Sequence, residues 1–163
     1  MQIKYHGADK FSIKTGQSTI KLDQKPSIDD FVLPGSGEYE KAGISVTGIG
    51  FEDNTIYTIC SEEINLCYLG NISKEIDEAI IKEIGDIDVL FLPLGENNTL
   101  TVKKALLLLS EIDPRVVIPM QYSNLDEFKK SEGISDGETD TFKFKKADLP
   151  EEERKIVILK PAE

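Results

Sequence analysis

The run Asp88-Val89-Leu90-Phe91-Leu92 decides the fold class, because a near-continuous apolar run is typical of a strand that is buried on both faces. Segments with helical periodicity flank it: one begins at Ser73 as N-cap and ends at Gly85, and the other extends from Thr101 to Ile112. Arg115–Pro119 is a second buried-strand pattern. This alternation of helix and strand predicts one half of a layered α/β or α+β domain.

A third, short helix is predicted between Ser123 and Gly133. Ser123 and Asp126 have the spacing of a capping box, and a glycine such as Gly133 commonly ends a helix. Beyond it, Phe142–Lys146 and Lys155–Leu159 have the composition of strands. The chain therefore ends, as it begins, in β-structure.

The first 70 residues consist of short strand-like segments separated by turns. The apolar alternation typical of half-buried strands occurs at residues 3–5, 11–13, 20–22, 31–33, 44–49, 55–60 and 64–69. Pro34–Gly37 is a turn cluster, and Ser61–Glu63 predicts the tip of a hairpin. No stretch before residue 70 has helical periodicity, so we expect few helices in the N-terminal half.

Composition excludes several classes of function. The 163 residues suit a single domain, residues 1–163, and the net charge of −11 comes from 30 acidic against 19 basic side chains. Nucleic-acid binding depends on Lys and Arg that neutralise phosphates, so we expect no nucleic-acid partner and no binding to an anionic membrane. One histidine limits any site built from imidazoles to a single member.

The sequence also predicts a cytoplasmic location. The N-terminal residues lack the apolar region of a signal peptide, and the longest apolar run, Ala105–Leu109, is far too short to span a membrane. Cys60 and Cys67 are too few for a disulfide scaffold and lie in strand-like surroundings. We expect both to be buried free thiols in a reducing cytosol rather than a redox pair.

Five segments, in order along nearly the whole chain, match the motifs of one family. Tyr5–Ile13 is similar to W-L-G-H-S-x-F-x-I, Gly37–Ile49 to P-G-E-Y-E-x-x-G-V-x-V-x-G-I, Leu69–Asn71 to L-G-D, Asp88–Gly95 with Thr99–Ala105 to D-V-L-L-L-P-V-G and T-x-x-x-x-x-A, and Pro114–Tyr122 to P-x-V-V-I-P-M-H-Y. The chain thereby resembles the metallo-β-lactamase-fold hydrolases, in particular the small branch related to L-ascorbate-6-phosphate lactonase. The resemblance implies an α+β fold, a four-layer αββα sandwich, here truncated and with few helices in the N-terminal half.

The resemblance also implies a metal site at one edge of the sandwich, built from His and Asp side chains and able to activate water. This sequence lacks those ligands. Ala8 stands in place of the family's His, Asn71 in place of the Asp of L-G-D, and Gln121 in place of the His of P-M-H-Y. The family's H-x-H-x-D-H loop has no counterpart between residues 20 and 39, and the loop after Ile49 is shortened to residues 50–54.

Asn71 and Gln121 keep roughly the shape of the side chains they replace but carry no charge. Each replacement preserves packing while it removes the electrostatic attraction for a cation. We therefore interpret Ala8, Asn71 and Gln121 as vestigial ligand positions and expect no family-type metal centre, no other cofactor and no catalytic residue.

Acidic side chains offer one alternative. Asp9, Glu38 and Asp53 are weak candidates for a rebuilt site that holds Ca²⁺ or Mg²⁺ through oxygen atoms alone. Four further carboxylates belong to the same group, namely Asp23, Asp29, Asp30 and Glu40. Some clustering is expected in so acidic a chain, and a solvated surface is the simpler interpretation.

Other isolated features favour structural roles. His6 is interpreted as a strand-end histidine bonded to backbone rather than as a ligand. Ser36 lies between two glycines but lacks the strand-to-helix setting of a nucleophile elbow, so a turn is the preferred interpretation. The loop of residues 95–99 precedes a helix, where Glu96 would repel a phosphate, and a simple cap is preferred to an anion site.

Taken together, the sequence predicts a degenerate family member that acts, without catalysis, as a binding or scaffold module. The alternative is a hydrolase of phosphodiesterase or lactonase type, with a rebuilt carboxylate metal site or a metal-free mechanism. A natural or engineered minimised version of a larger relative is a third reading, because the shortening is concentrated in two loops. Since few helices are available to cover the N-terminal sheet, we also expect a homodimer or a protein partner on an exposed apolar face of that sheet.

Overall fold

The computed structural model describes residues 1–95, 99–134 and 137–162. The strands are β1 Gln2–Tyr5, β2 Phe11–Thr15, β3 Ser18–Leu22, β4 Ser27–Ile28, β5 Phe31–Val32, β6 Gly37–Lys41, β7 Ile44–Phe51, β8 Asn54–Ser61, β9 Ile64–Tyr68, β10 Val89–Pro93, β11 Val116–Met120, β12 Phe142–Lys143 and β13 Lys155–Ile156. The α-helices are α1 Glu78–Ile84, α2 Val102–Ile112 and α3 Asp126–Glu132. The final two strands are shorter than the sequence predicts.

The strands form two sheets. An antiparallel six-stranded sheet has the order β12-β1-β2-β3-β4-β5, and a mixed seven-stranded sheet has the order β13-β11-β10-β9-β8-β7-β6. In the second sheet β6 to β9 form an antiparallel meander, whereas β9, β10, β11 and β13 run parallel. The carboxyl ends of β9, β10 and β11 therefore meet at one edge.

Apolar side chains fill two separate cores. The first lies between the sheets and includes Ile13, Leu66 and Phe91, all of which are fully buried. The second lies between the other face of the seven-stranded sheet and the helices, where Leu109 of α2 and Phe128 of α3 are fully buried. The predicted α+β sandwich, with its helices in the C-terminal half, is confirmed.

The sandwich has three layers in the described part of the chain rather than the four of the family pattern. Edge strand β5 exposes Phe31 and Val32, but the outward side chains of β1, β2 and β3 are polar and include Lys4, Ser12, Lys14, Thr19 and Lys21. Such a face needs no helical cover because it has little apolar surface to bury. The premise of the predicted association, an exposed apolar face on this sheet, is therefore wrong, while the association itself stays a prediction.

Two of the predicted helix starts are wrong. The N-cap of α1 is Asp77 instead of Ser73, and its carboxylate accepts a hydrogen bond from the backbone N–H of Ile80 at 3.0 Å. The predicted capping box of α3 does not form either, because its N-cap is Leu125. The predicted ends of both helices, Gly85 and Gly133, are confirmed, as is the start of α2 at Thr101.

The two cysteines lie in different environments. Cys67 is buried on β9, and burial raises the pKa of its thiol. Cys60 on β8 is exposed, so the prediction of two buried thiols is wrong for this residue, since its side chain points away from the core between the sheets. None of the described helices combines the length and apolarity that crossing a bilayer requires.

Candidate functional site

The three vestigial ligand positions lie at or beside one edge of the seven-stranded sheet. Asn71 follows the carboxyl end of β9, and Gln121 follows that of β11. Ala8 belongs to the turn between β1 and β2 and touches Gln121 from the opposite sheet. In α/β proteins this edge of parallel strands is the usual place for a binding crevice.

Ala8 and Gln121 are joined directly by their backbones. The N–H of Gln121 donates a 2.9 Å hydrogen bond to the carbonyl oxygen of Ala8, which also accepts one of 2.8 Å from the hydroxyl of Tyr5. Both residues have left-handed φ angles, 50° at Ala8 and 57° at Gln121. Such angles in residues other than glycine are uncommon and tend to occur at functional sites.

The side chain of Gln121 has an unsatisfied acceptor. Its Oε1 atom is buried and has no hydrogen-bond partner among the residues that the structure describes. A buried polar atom without a partner costs free energy, roughly 1–3 kcal/mol. This position therefore contains a neutral and weakly basic oxygen where the family pattern has an imidazole.

Asn54 organises the backbone around Asn71. Its side-chain amide donates to the carbonyl of Leu69 at 2.7 Å, and its Oδ1 accepts from the N–H of Asn71 at 3.4 Å. Gly70 between them has a φ of 68°, and a Cβ there would lie 2.6 Å from Oδ1 of Asn54. Only glycine leaves room for this amide, so Asn54 occupies the space beside Gly70.

Asn54 is not among the candidates predicted from the sequence, although the register of the predicted hairpin indicates its position. The hairpin predicted around Ser61–Glu63 forms with Ser61 opposite Ile64 and Tyr57 opposite Tyr68. Extending this register by three residues places Asn54 opposite Asn71. A predicted hairpin thus pairs two amides across its open end.

A cleft of about 350 Å³ lies beside this pair of amides. We call it the carboxylate cleft because Asp9, Asp23 and Asp53 line it, together with Asn54, Tyr68 and Asn71. Of the three predicted carboxylate candidates, the structure brings Asp9 and Asp53 together and leaves Glu38 elsewhere, exposed on edge strand β6. Asp29, Asp30 and Glu40 are exposed and do not line the cleft.

Asp9 is the most enclosed of these carboxylates, with a residue exposure of 6%. Its backbone carbonyl accepts a 2.8 Å hydrogen bond from the hydroxyl of Tyr68. Within the described residues its carboxylate has neither a hydrogen bond nor an ion pair. The pKa of Tyr68 lies well above its usual value because the hydroxyl is buried and because Asp9 and Asp23 are nearby.

The residues at this edge do not fit a family-type metal. In the described ranges, 1–95, 99–134 and 137–162, no group of three or more His, Cys, Asp or Glu side chains has an arrangement that could hold a metal ion. The amides of Asn71 and Gln121 supply only neutral oxygens. His6 is exposed, and its Nε2 is bonded to the hydroxyl of Ser12 at 2.8 Å rather than to backbone as predicted.

Two further features singled out from the sequence are Ser36 and the loop of residues 95–99. Ser36 lies in an exposed turn, as predicted, and its backbone carbonyl accepts a 2.9 Å hydrogen bond from the hydroxyl of Tyr39. The predicted cap at residues 95–99 includes Glu96, Asn97 and Asn98, which lie outside the described residues.

Comparison with known proteins identifies the family. Residues 24–121 match the model of the β-lactamase superfamily domain. The chain belongs to the metallo-β-lactamase superfamily. It is similar to proteins named UPF0173 metal-dependent hydrolase, with 33% identity over 87 residues to one from Methanosarcina barkeri and 30% over 89 residues to one from Bacillus cereus strain AH820. These matches cover 53% and 55% of this chain but only 34% and 38% of the relatives, so the chain matches little more than a third of their length.

Two solved structures share the fold. A protein described as a Zn-dependent hydrolase from Thermotoga maritima aligns over 98% of both chains, with a TM-score of 0.84 and 24% identity. A metallo hydrolase from Ignicoccus hospitalis aligns over 88% of this chain and 99% of its own, with a TM-score of 0.66 and 17% identity. These two likenesses show that the overall fold of this chain occurs in other proteins.

Proposed function

We propose that this chain has lost the metal site of its superfamily and acts as a non-catalytic binding or scaffold module. One observation carries the proposal: the metal-facing edge contains Ala8, Asn71 and Gln121, and none of these side chains has a charge or an imidazole nitrogen. A divalent metal prefers imidazole nitrogen and carboxylate oxygen, and a neutral amide replaces neither. In this proposal the chain has no cofactor and no catalytic residue.

The local structure supports this interpretation. The space beside Gly70 is taken by the amide of Asn54, and no described residue pairs with the buried Oε1 atom of Gln121. An oxygen that ligates a metal is paired by the ion. The neutral amide oxygen of Gln121 attracts a cation only weakly. The edge keeps the backbone geometry of a crevice while its donor chemistry is altered.

The alternative function is a hydrolase of phosphodiesterase or lactonase type. The observation that favours it is the shared cleft of Asp9, Asp23 and Asp53, since oxygen ligands suit Mg²⁺ or Ca²⁺. A metal-free mechanism would instead require a nucleophile with an adjacent base.

Metal analysis separates the two functions. Protein purified without chelator should contain far less than one equivalent of zinc, manganese or iron by elemental mass spectrometry. It should also have no phosphodiesterase or lactonase activity that EDTA removes. Stoichiometric metal that is retained by the wild type and lost from the Asp9→Asn variant would instead establish the rebuilt carboxylate site.

Association through the N-terminal sheet is a separate proposal. The outer face is polar, but edge strand β5 exposes Phe31 by 38% and Val32 by 54%, so any self-association is expected at this edge. Sedimentation velocity of Val32→Glu tests it, with Leu107→Glu on α2 as the control for another exposed apolar residue. A wild-type monomer at high concentration would rule out a homodimer through this sheet. The net charge of −11 supports our further proposal that the chain has no nucleic-acid partner and does not bind an anionic membrane, and a cytoplasmic location is proposed beside it.

A further inference from the structure

We propose that the carboxylate cleft binds a small organic cation with a primary ammonium group. This inference rests on the proposed loss of the metal site, since a resident metal at the same edge would compete for the same oxygens. Nothing in the family pattern assigns such a ligand to this chain.

Asp9 is a largely buried residue that lines the cleft, and no described side chain pairs with its carboxylate. The residue is 94% buried, given its exposure of 6%, and it lines the cleft. Within the described residues no donor and no cationic side chain contacts its carboxylate. The accessible part of Asp9 opens into the cleft, so a cation that enters the cleft would supply the pairing that the described side chains do not.

The other charges in the cleft have the same sign. Asp23 and Asp53 join Asp9, and no Lys, Arg or His is among the described residues that line it. Lys74 belongs to a neighbouring cleft, where its ammonium lies 3.6 Å from a carboxylate oxygen of Glu52. A cleft lined by charges of one sign concentrates counter-ions of the other, so the field favours a cation.

The donor set favours an ammonium ion over a metal ion or an anion. The described residues contain no group of three or more side chains with metal-binding spacing. An ammonium group instead has three N–H donors, which separate acceptors can satisfy without a fixed coordination geometry. Carboxylate oxygens and the amide oxygens of Asn54 and Asn71 are such acceptors.

The shape of the cleft restricts the ligand further. Its volume of about 350 Å³ is at the small end of the range for ligand pockets, roughly 300–1,000 Å³. The rings of Tyr57 and Tyr68 line it and offer apolar surface to a short methylene chain. Because little of Asp9 is accessible, a primary ammonium can reach its carboxylate, whereas a bulky quaternary ammonium cannot.

Titration calorimetry with 1,4-diaminobutane as the probe tests the proposal. We expect saturable binding at one site, weakened by added salt, and no binding of the neutral isostere 1,4-butanediol or of inorganic phosphate. Tetramethylammonium should bind more weakly than the primary amine. Equal binding of the diamine and the diol, or the absence of saturable binding, would overturn the proposal.

Variants locate the site. Asp9→Asn should weaken binding of the diamine by roughly tenfold or more, since charge-assisted hydrogen bonds contribute about 1.5–3 kcal/mol. Asp23→Asn, at a less buried position, gives the same test if Asp9→Asn fails to fold. Asp86→Asn is the matched control, because it removes the same charge near the amino end of β10, at the opposite end of the parallel strands, and should leave the affinity unchanged. Unchanged affinity in both cleft variants would disprove the assignment.

The outcomes for the ligand and for the proposed function can be told apart. If the purified protein contains stoichiometric metal and the Asp9→Asn variant does not, the proposed loss of the metal site is contradicted. This conclusion does not depend on whether amines bind. If the purified protein is free of metal and does not bind 1,4-diaminobutane, only the proposed ligand class is contradicted. Amine binding in metal-free protein supports both.

Discussion

The backbone N–H of Gln121 donates its hydrogen bond to the carbonyl of Ala8, and the two residues connect the sheets at the edge where the family pattern has its metal. Both residues adopt left-handed backbone angles. The hydroxyl of Tyr5 donates to the same carbonyl, so one acceptor joins the segment of residues 5–8 to Gln121. The backbone of this edge is thus maintained by main-chain contacts that do not depend on metal ligands.

Ala8→Gly should raise the free energy of unfolding by about 0.5–1 kcal/mol, because glycine adopts the left-handed φ of 50° without the steric cost that alanine has there. The measurement is the urea midpoint at constant m-value. Ala79→Gly is the control: this exposed alanine lies inside α1, where glycine should lower the free energy of unfolding by about 1 kcal/mol. Equal losses in the two variants would contradict the left-handed conformation of Ala8.

Gly48→Ala should lower the free energy of unfolding by roughly 1–3 kcal/mol, since the added methyl group would overlap the carbonyl oxygen of Gly35, which crosses β7 at this point. A Cβ at Gly137 meets no atom within 4 Å, so Gly137→Ala should change stability by less than about 0.5 kcal/mol. Chemical denaturation of both variants checks the difference. If Gly48→Ala leaves the free energy of unfolding unchanged, the turn that contains Gly35 does not pack on β7.

Asp88→Asn should lower the free energy of unfolding by about 1.5–3 kcal/mol. The buried carboxylate of Asp88 lies 2.9 Å from Nζ of Lys146 and 3.5 Å from Nε of Arg115, and it accepts a 2.8 Å hydrogen bond from the N–H of Asn65. Asp86→Asn, two residues away and exposed, should change it by less than about 0.5 kcal/mol. Similar midpoints for the two variants in urea would rule out a structural role for the Asp88 pairs.

Alkaline pH should destabilise the fold in part through Tyr5. Burial, with the nearby Tyr122 and Asp9, raises the pKa of Tyr5 from 10.0 to about 12. Above pH 10 the unfolded chain loses this proton while the folded chain keeps it, so the free energy of unfolding falls as the pH rises from about 10 to 12. Below pH 10 both states hold the proton, and the effect is absent.

Tyr5→Phe tests this dependence. At pH 8 the variant should be less stable, because the carbonyl of Ala8 loses one of its two donors. Between pH 10 and 12 its urea midpoint should fall less steeply than that of the wild type. Parallel slopes for the two proteins would show that another group causes the alkaline loss.

The pattern of strands and helices was largely predictable because it depends on the periodicity of neighbouring residues. The hairpin at Ser61–Glu63 and the helix end at Gly85 formed where the sequence indicated. The helix starts at Ser73 and Ser123 were wrong, since several polar residues near each start can serve as caps and packing selects among them. The exposure of Cys60 was missed for a related reason: alternation along a strand does not say which face is covered.

The candidate site was predictable only in its chemistry. The replacements Asn71 and Gln121 could be read from motif positions, and so could the shortened loop before Asn54. The burial of Asp9 could not, because it depends on the packing of the β1–β2 turn against β9 and β11. Glu38 was an equal candidate by sequence. It lies exposed because β6 is an edge strand of its sheet, and that position also depends on tertiary structure.

By itself the sequence determined which elements form and which donor atoms are present, because periodicity, caps and side-chain chemistry are properties of neighbouring residues. Only the tertiary structure decided that Asp9, Asp23 and Asp53 share a cleft with Asn71, and that the polar outer face of β1 to β3 has no helical layer over it among the described residues. Residues so distant along the chain come together through the packing of two sheets, and no local pattern specifies that contact.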